Sequence, residues 1–142
     1  LATRIQIVFD CSDPAALARF WAQALHYKIQ DPPKGFGSWE EFLEAQCVPK
    51  KNWNCANAIV DPQGVGPRIF FQRMKTPKPK KNRLHIDINA SAGAVPKEQR
   101  KKVGAEVKRL IELGAAKQKE WEEDGEYWVV MLDPENNEFC VQ

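Results

Sequence analysis

The sequence predicts an α+β chain made of two tandem β-α-β-β-β units. Three observations lead there. First, Arg83-Leu84-His85-Ile86-Asp87-Ile88-Asn89 alternates strictly, with Leu84, Ile86 and Ile88 apolar and His85, Asp87 and Asn89 polar. A strand sends successive side chains to opposite faces, so this stretch has one core-facing row and one row of chemically capable groups. Second, Arg4 to Asp10 echoes it, with Ile5, Ile7 and Phe9 alternating with Gln6, Val8 and Asp10. Third, both halves continue through a helix to strands joined by a turn beginning Asp-Pro. That turn is Asp61-Pro62-Gln63-Gly64 in the first half and Asp133-Pro134-Glu135-Asn136 in the second. Order that recurs over about 70 residues is far harder to reach by chance than any single motif.

Each element has a local cause. After the first strand, Asp13 can cap free N–H groups and Pro14 suits the first helical position. Leu17, Phe20, Trp21, Ala24 and Leu25 then form one apolar stripe, predicting a helix over 14–25. His26 falls where the chain turns left-handed, a place usually given to Gly. Tyr27 to Gln30 reads as a short strand that Asp31-Pro32-Pro33 breaks. Lys34 to Asn57 is the least regular stretch; within it Ser38-Trp39-Glu40-Glu41 is a capping box that opens a short helix to about Gln46. Phe36, Trp39, Phe42 and Trp53 make this excursion either a lid or a segment anchored to the body by its aromatics.

Ala56 to Val60 and Arg68 to Arg73 read as a hairpin, with Ile69 and Phe71 opposing Phe70 and Gln72. The basic, proline-punctuated run from Lys75 to Lys81 reads as a linker, because no aromatic platform or nucleic-acid motif accompanies it. In the second half a turn at Ser91 to Ala94 precedes a helix over 96–113, whose stripe is Val103, Val107, Leu110, Ile111 and Gly114. Leu113-Gly114-Ala115 parallels Leu25-His26-Tyr27 at the helix exit, Glu126 to Leu132 is the clearest strand, and Glu138 to Gln142 closes the unit. The expected organisation is one domain over 1–142, with unit one 1–74, a linker 75–82 and unit two 83–142.

Bulk properties set limits. A chain of 142 residues, 43% apolar and 28% charged, can bury a core of its own. A net charge of +2 gives no general reason to bind nucleic acid or an anionic membrane. No apolar run approaches the ~20 residues of a spanning helix, and Leu1-Ala2-Thr3 does not open like a secretory leader, so a cytoplasmic protein is expected. Cys11, Cys47, Cys55 and Cys140 lack C-x-x-C spacing and read as reduced thiols.

The paired units, the Asp13-Pro14 helix start and the closing run Asp133-Pro134-Glu135-Asn136-Asn137-Glu138-Phe139 resemble the vicinal oxygen chelate superfamily of glyoxalases, bleomycin-resistance proteins and dioxygenases. The nearest branch is that of the bacterial glyoxalase-like domain proteins, and the resemblance covers essentially the whole chain. It implies that each sheet bends into a half-barrel with its helix outside and that the two half-barrels face each other around a pocket. The Ile5 and Leu84 rows would lie under the helices and the Gln6 and His85 rows would line the pocket. Metal-using members, glyoxalase I among them, take one ligand from the first and the last strand of each unit. Those positions fall on Gln6, Gln72, His85 and Cys140. Carboxylates are usual where Gln72 and Cys140 stand. A Cys/His pair favours zinc or a softer ion over hard cations, and two amides neutralise charge poorly, so a divalent metal is a disfavoured cofactor.

Two functions follow. The first is a lyase- or isomerase-type enzyme acting on a small oxygenated molecule, with His85 and Asp87 moving a proton and Asp10 as a second candidate base. Gln6, Gln72 and Asn89 would hold substrate oxygens beside Trp128 and Cys140. Cys140 would act as a nucleophile only with a cation beside it. The alternative is a binding protein without chemistry, sequestering a planar drug-like ligand against aromatic side chains as bleomycin-resistance proteins do. Trp128, alternating with Tyr127, is the first candidate for that contact. A regulatory or fusion-partner domain has no residue in its favour. The expected partners are a small-molecule ligand and a second copy of the chain in a homodimer, with neither nucleic acid nor membrane.

Overall fold

The computed structural model describes residues 2–142; Leu1, where the expected leaderless start and unit one begin, lies outside the described residues. The chain divides into two compact units, one ending at Pro77 and the other beginning at Lys78. The first runs β1 (Gln6–Cys11), α1 (Pro14–Leu25), β2 (Lys28–Ile29), a long connection carrying α2 (Trp39–Ala45) and a 3-10 turn (Lys50–Asn52), then β3 (Ala56–Val60) and β4 (Arg68–Arg73). The second runs β5 (Asp87–Ile88), α3 (Pro96–Glu112), β6 (Ala116–Glu123), β7 (Glu126–Leu132) and β8 (Glu138–Val141).

The predicted repeat is present. Strand order is β1-β4-β3-β2 in one sheet and β5-β8-β7-β6 in the other, with the first and last strands of each unit parallel and the other pairs antiparallel. Within each unit the helix packs on one face of the sheet. In the first unit Phe9 lies 5.5 Å from the Trp21 ring and 5.3 Å from Phe71, and Leu17, Ile59 and Ile69 complete a dry layer under α1. In the second, Val103, Val107 and Leu110 bury against a sheet that supplies Val129, Met131, Phe139 and Val141. Burying side chains of this size contributes about 1.5–3 kcal/mol each.

Local chemistry repeats as well. Asp13 accepts the Ala16 N–H, as its capping position predicts, and Asn54 from the long connection accepts the Ala15 N–H at 2.9 Å. His26 is left-handed at φ 57°, Gly114 has φ 114°, and each is followed by an N–H that returns to the helix, Tyr27 to the Ala22 carbonyl and Ala115 to that of Leu110. Asp61 accepts the N–H groups of Gln63, Val65 and Gly66, and Asp133 those of Glu135 and Asn137. In both Asp-Pro turns the carboxylate thus holds backbone donors that the turn frees from the ladder.

Four expectations need correction. The stretch 83–89 is not one strand: only Asp87–Ile88 pairs with β8, and just ahead of the stretch the Asn82 N–H goes to the Glu138 carboxylate at 3.0 Å. Leu84 is consequently 70% exposed, and Ile5, which precedes β1, is 69% exposed, so neither lies under a helix. Ile111 and Gly114, placed on the buried stripe of α3, are both exposed, since Leu110 takes the inward position and the helix ends at Glu112. In the capping box Glu41 reaches past Ser38 to the Gly37 N–H, while Ser38 does cap Glu41. Among the described residues no helix is long and apolar enough to cross a membrane.

Candidate functional site

In the second unit the parallel register sets Asp87 beside Cys140. His85, just ahead of β5, turns its Nδ1 to within 2.8 Å of Asp87 Oδ1. Donor atoms of His85, Asp87 and Cys140 all lie within 4.8 Å of one another. His85 and Asp87 are exposed and Cys140 is half-buried, so the group is open to a ligand. In the tautomer that carries its proton on Nδ1, the ring donates to Asp87, is held in that orientation, and turns Nε2 outward as an acceptor. Burial pushes the Cys140 thiol up, and the charge and hydrogen bond of Asp87 push it further, against a smaller opposing pull from Lys81. Cys140 is therefore held as a thiol, and the cation that a nucleophilic role would need is outweighed.

The other predicted residues of this unit are placed differently. Asn89 accepts from the Gln142 amide at 2.9 Å, outside the three-residue group. Trp128 opposes Trp121 across the β6–β7 ladder and stacks on it with ring centroids 6.2 Å apart, while the Lys119 ammonium sits 3.7 Å over the Trp121 ring. Alternation puts Trp128 on the same face as Val130, whose register partner is Cys140. Tyr127 takes the opposite face, under the Arg100 guanidinium of α3.

In the first unit, Gln6, Asp10 and Gln72 stand on the face of the sheet away from α1, on β1 and β4. Asp10 and Gln72 are register partners, and the Gln72 amide donates to Asp10 at 2.7 Å. Gln6 is the register partner of Arg68 and accepts from its guanidinium at 2.5 Å. Asp10 is thereby a carboxylate already engaged by an amide, and Gln6 an amide already engaged by a cation.

Imidazole nitrogen, thiol sulfur and carboxylate oxygen at this spacing fit a borderline-soft divalent ion such as zinc. Asp87 supplies a carboxylate that the resemblance did not place here, two residues from the ligand position it did identify. Sequence reasoning also missed Arg68, whose signal was its place in the polar row with Phe70 and Gln72. It missed the pairing of Lys78 with the buried Glu138 at 3.3 Å, which lay hidden in a run read as a linker.

Comparison with known proteins agrees with this architecture. The sequence pattern of the glyoxalase-like domain family matches residues 6–142. A glyoxalase/bleomycin resistance/dioxygenase family enzyme from Burkholderia phytofirmans superposes with TM-score 0.59 at 16% identity, over 96% of this chain and 94% of that one. The E126Q mutant of the fosfomycin resistance protein FosX from Listeria monocytogenes, complexed with Mn(II) and 1S,2S-dihydroxypropylphosphonic acid, gives TM-score 0.62 at 12% identity, over 100% and 90%. A hypothetical protein from S. aureus gives 0.61 at 15% identity, over 99% and 93%. At these identities the likeness is one of fold. A search of curated protein sequences returns no match.

Proposed function

The chain belongs to the glyoxalase-like domain family, and from that premise we propose that it is an isomerase- or lyase-type enzyme that moves a proton on a small oxygenated molecule at His85. The observation that carries this reading is the 2.8 Å contact of His85 Nδ1 with Asp87, which leaves Nε2 as an oriented base on an exposed face. Abstraction of the proton from the carbinol carbon of an α-hydroxy carbonyl needs such a group. Returning it to the neighbouring carbonyl carbon, while the hydroxyl proton passes to the former carbonyl oxygen, completes an isomerisation. Asp87 acts by orienting the ring; it is not itself the base. Cys140, kept as a thiol hydrogen-bonded to Asp87, helps to hold that carboxylate in place.

If an ion binds, His85, Asp87 and Cys140 would hold it, and it would supply polarisation of a substrate oxygen. In either case the ligand is a small molecule and the protein works without nucleic acid or membrane.

The test is exchange of carbon-bound hydrogen for deuterium across a panel of small α-hydroxy ketones and aldehydes, followed by NMR with and without added zinc. Wild type should exchange at least one of them. Asp87→Asn keeps shape but loses the charge that sets the tautomer, and it should lower the rate roughly 10²–10⁴-fold with ligand affinity nearly intact. Exchange that persists unchanged in His85→Ala would overturn the assignment. The sequestration alternative predicts instead that a planar ligand binds without conversion and that Trp128→Ala weakens it.

A further inference from the structure

The long connection between β2 and β3 is pinned at several points. Trp39 donates its indole N–H to the Gln30 carbonyl at 2.6 Å, Trp53 donates to that of Val48 at 2.9 Å, and Asn54 bonds both Ala15 and Asp13 at the start of α1. Phe36 and Trp39 both pack edge-on against Phe42. Held this way, the connection and the sheet of the first unit enclose a cleft of about 610 Å³, within the roughly 300–1,000 Å³ of small-molecule sites. Its apolar walls are Trp39, Leu43 and Trp53 from the connection, Ile29 from β2 and Phe70 from β4. Both indole donors are already used, so these two rings offer a ligand only apolar surface.

Arg68 belongs to the polar lining of the cleft, beside Arg19, Glu40, Asn52, Asn54 and Asn57, with its guanidinium 5.3 Å over the Phe70 ring. Its Nε donates to Gln30 Oε1 at 2.6 Å and its Nη1 to Gln6 Oε1 at 2.5 Å. Both partners are neutral amides, and among the described residues no carboxylate pairs with this guanidinium. Two amide oxygens fix the fork in space without neutralising its charge. An oriented, uncompensated guanidinium presents its remaining donors to a planar oxyanion. Of the charged side chains on the cleft wall, Arg19 and Arg68 are positive and only Glu40 is negative.

We propose that this cleft binds an amphipathic anion, a flat apolar body carrying a single carboxylate, with the body between the tryptophans and Phe70 and the carboxylate on Arg68. The inference stands on the first unit alone and does not depend on the chemistry of His85.

The experiment titrates the full chain with 2-naphthoate and, separately, with 2-naphthamide, which has the same shape and no charge. Calorimetry should show the acid binding roughly 10–100-fold more tightly, the scale of a hydrogen-bonded charge. Added salt should weaken the acid and leave the amide unchanged. In Arg68→Gln the acid should fall to the affinity of the amide, whereas Arg68→Lys should keep part of the preference. Trp39→Ala should weaken both ligands. Equal binding of acid and amide by wild type, failure of both to bind at millimolar concentration, or an undiminished preference in a folded Arg68→Gln protein would each overturn the proposal. Should Arg68→Gln fail to fold by circular dichroism, the acid–amide comparison and its salt dependence in wild type decide the matter alone.

Discussion

The two units share one strand order and one left-handed turn after the helix, but they differ in what the second strand becomes. In the first unit β2 is two residues long and the chain then leaves the sheet, returning only at Ala56 after building the wall of a cleft. In the second, β6 is eight residues long and passes to β7 through Asp124 and Gly125, both at positive φ, as a tight hairpin demands. The cores differ in parallel. The first combines Phe20, Trp21 and Phe71 with Leu17, Ile59 and Ile69, while in the second Phe139 is, among the described residues, the one buried ring beside aliphatic side chains and Met131. The cluster of His85, Asp87 and Cys140 donor atoms lies in the second unit. A repeated scaffold can therefore hold unlike chemistry in its two copies, because function sits on side chains and connections while strand order is kept by the backbone.

Three measurements test that contrast. The largest effect should come from the cores. Trp21→Ala removes the ring on which both Phe9 and Phe20 pack, and should cost about 3–5 kcal/mol in chemical denaturation. Val103→Ala, its counterpart under the second sheet, should cost about 1.5–3 kcal/mol. Equal losses would mean that the aromatic layer has no special weight.

A smaller effect tests the shared turn. Gly114→Ala should destabilise by about 1–2 kcal/mol. Space is not the cause, since an added Cβ would meet only Pro134 at 3.7 Å; the cause is the backbone at φ 114°. His26→Gly at the matching place should stabilise by up to about 1 kcal/mol. If Gly114→Ala is silent, the two helix exits are not equivalent.

The smallest effect concerns acid. Burial pushes the Glu138 carboxyl up, but its own backbone N–H, the Asn82 N–H and the Lys78 ammonium together carry it below the usual carboxylate range. A depressed folded value means that this contribution is complete above the unfolded pKa and fades as pH falls through the folded one. Wild type should lose more stability between pH 5 and pH 3 than Glu138→Gln does, a range set by the ordinary carboxylate pKa of about 4.3. Parallel acid profiles would show that Asn82 and Lys78 add nothing.

What could be read from the sequence was what neighbouring residues decide. Asp13-Pro14 fixed the start of α1, Asp61 to Gly64 fixed the ends of β3 and β4, and Glu126 to Leu132 matched β7 to the residue. The left-handed His26 followed from its place after an apolar stripe. What could not be read depends on partners distant in the chain. Alternation alone drew a seven-residue strand at 83–89, but only Asp87 and Ile88 find register partners on β8, a matter of pairing that alternation does not carry. His85 and Asp87 were legible as a pair, whereas the approach of Asp87 to Cys140 is a matter of register between strands more than fifty residues apart (Asp87↔Cys140). Arg68 stayed hidden for the same reason, because its meaning comes from Gln6 and Gln30, which lie on other strands or just beyond them.

The length of β6 has one further consequence. It is the outermost strand of its sheet and all eight of its residues are exposed, so one row of its backbone donors and acceptors faces no neighbour within that sheet. Such an edge is a template for another chain to add to, and the risk grows with length and apolarity. The first unit avoids the problem by keeping β2 to two residues. The second cannot, and instead places Lys117, Lys119, Glu120, Glu122 and Glu123 along the strand and breaks its register between Lys117 and Lys119. These charges make no core and touch no candidate donor group, yet they guard against fibrous self-association. Sequence change on this strand is thus constrained by what the protein must not assemble into.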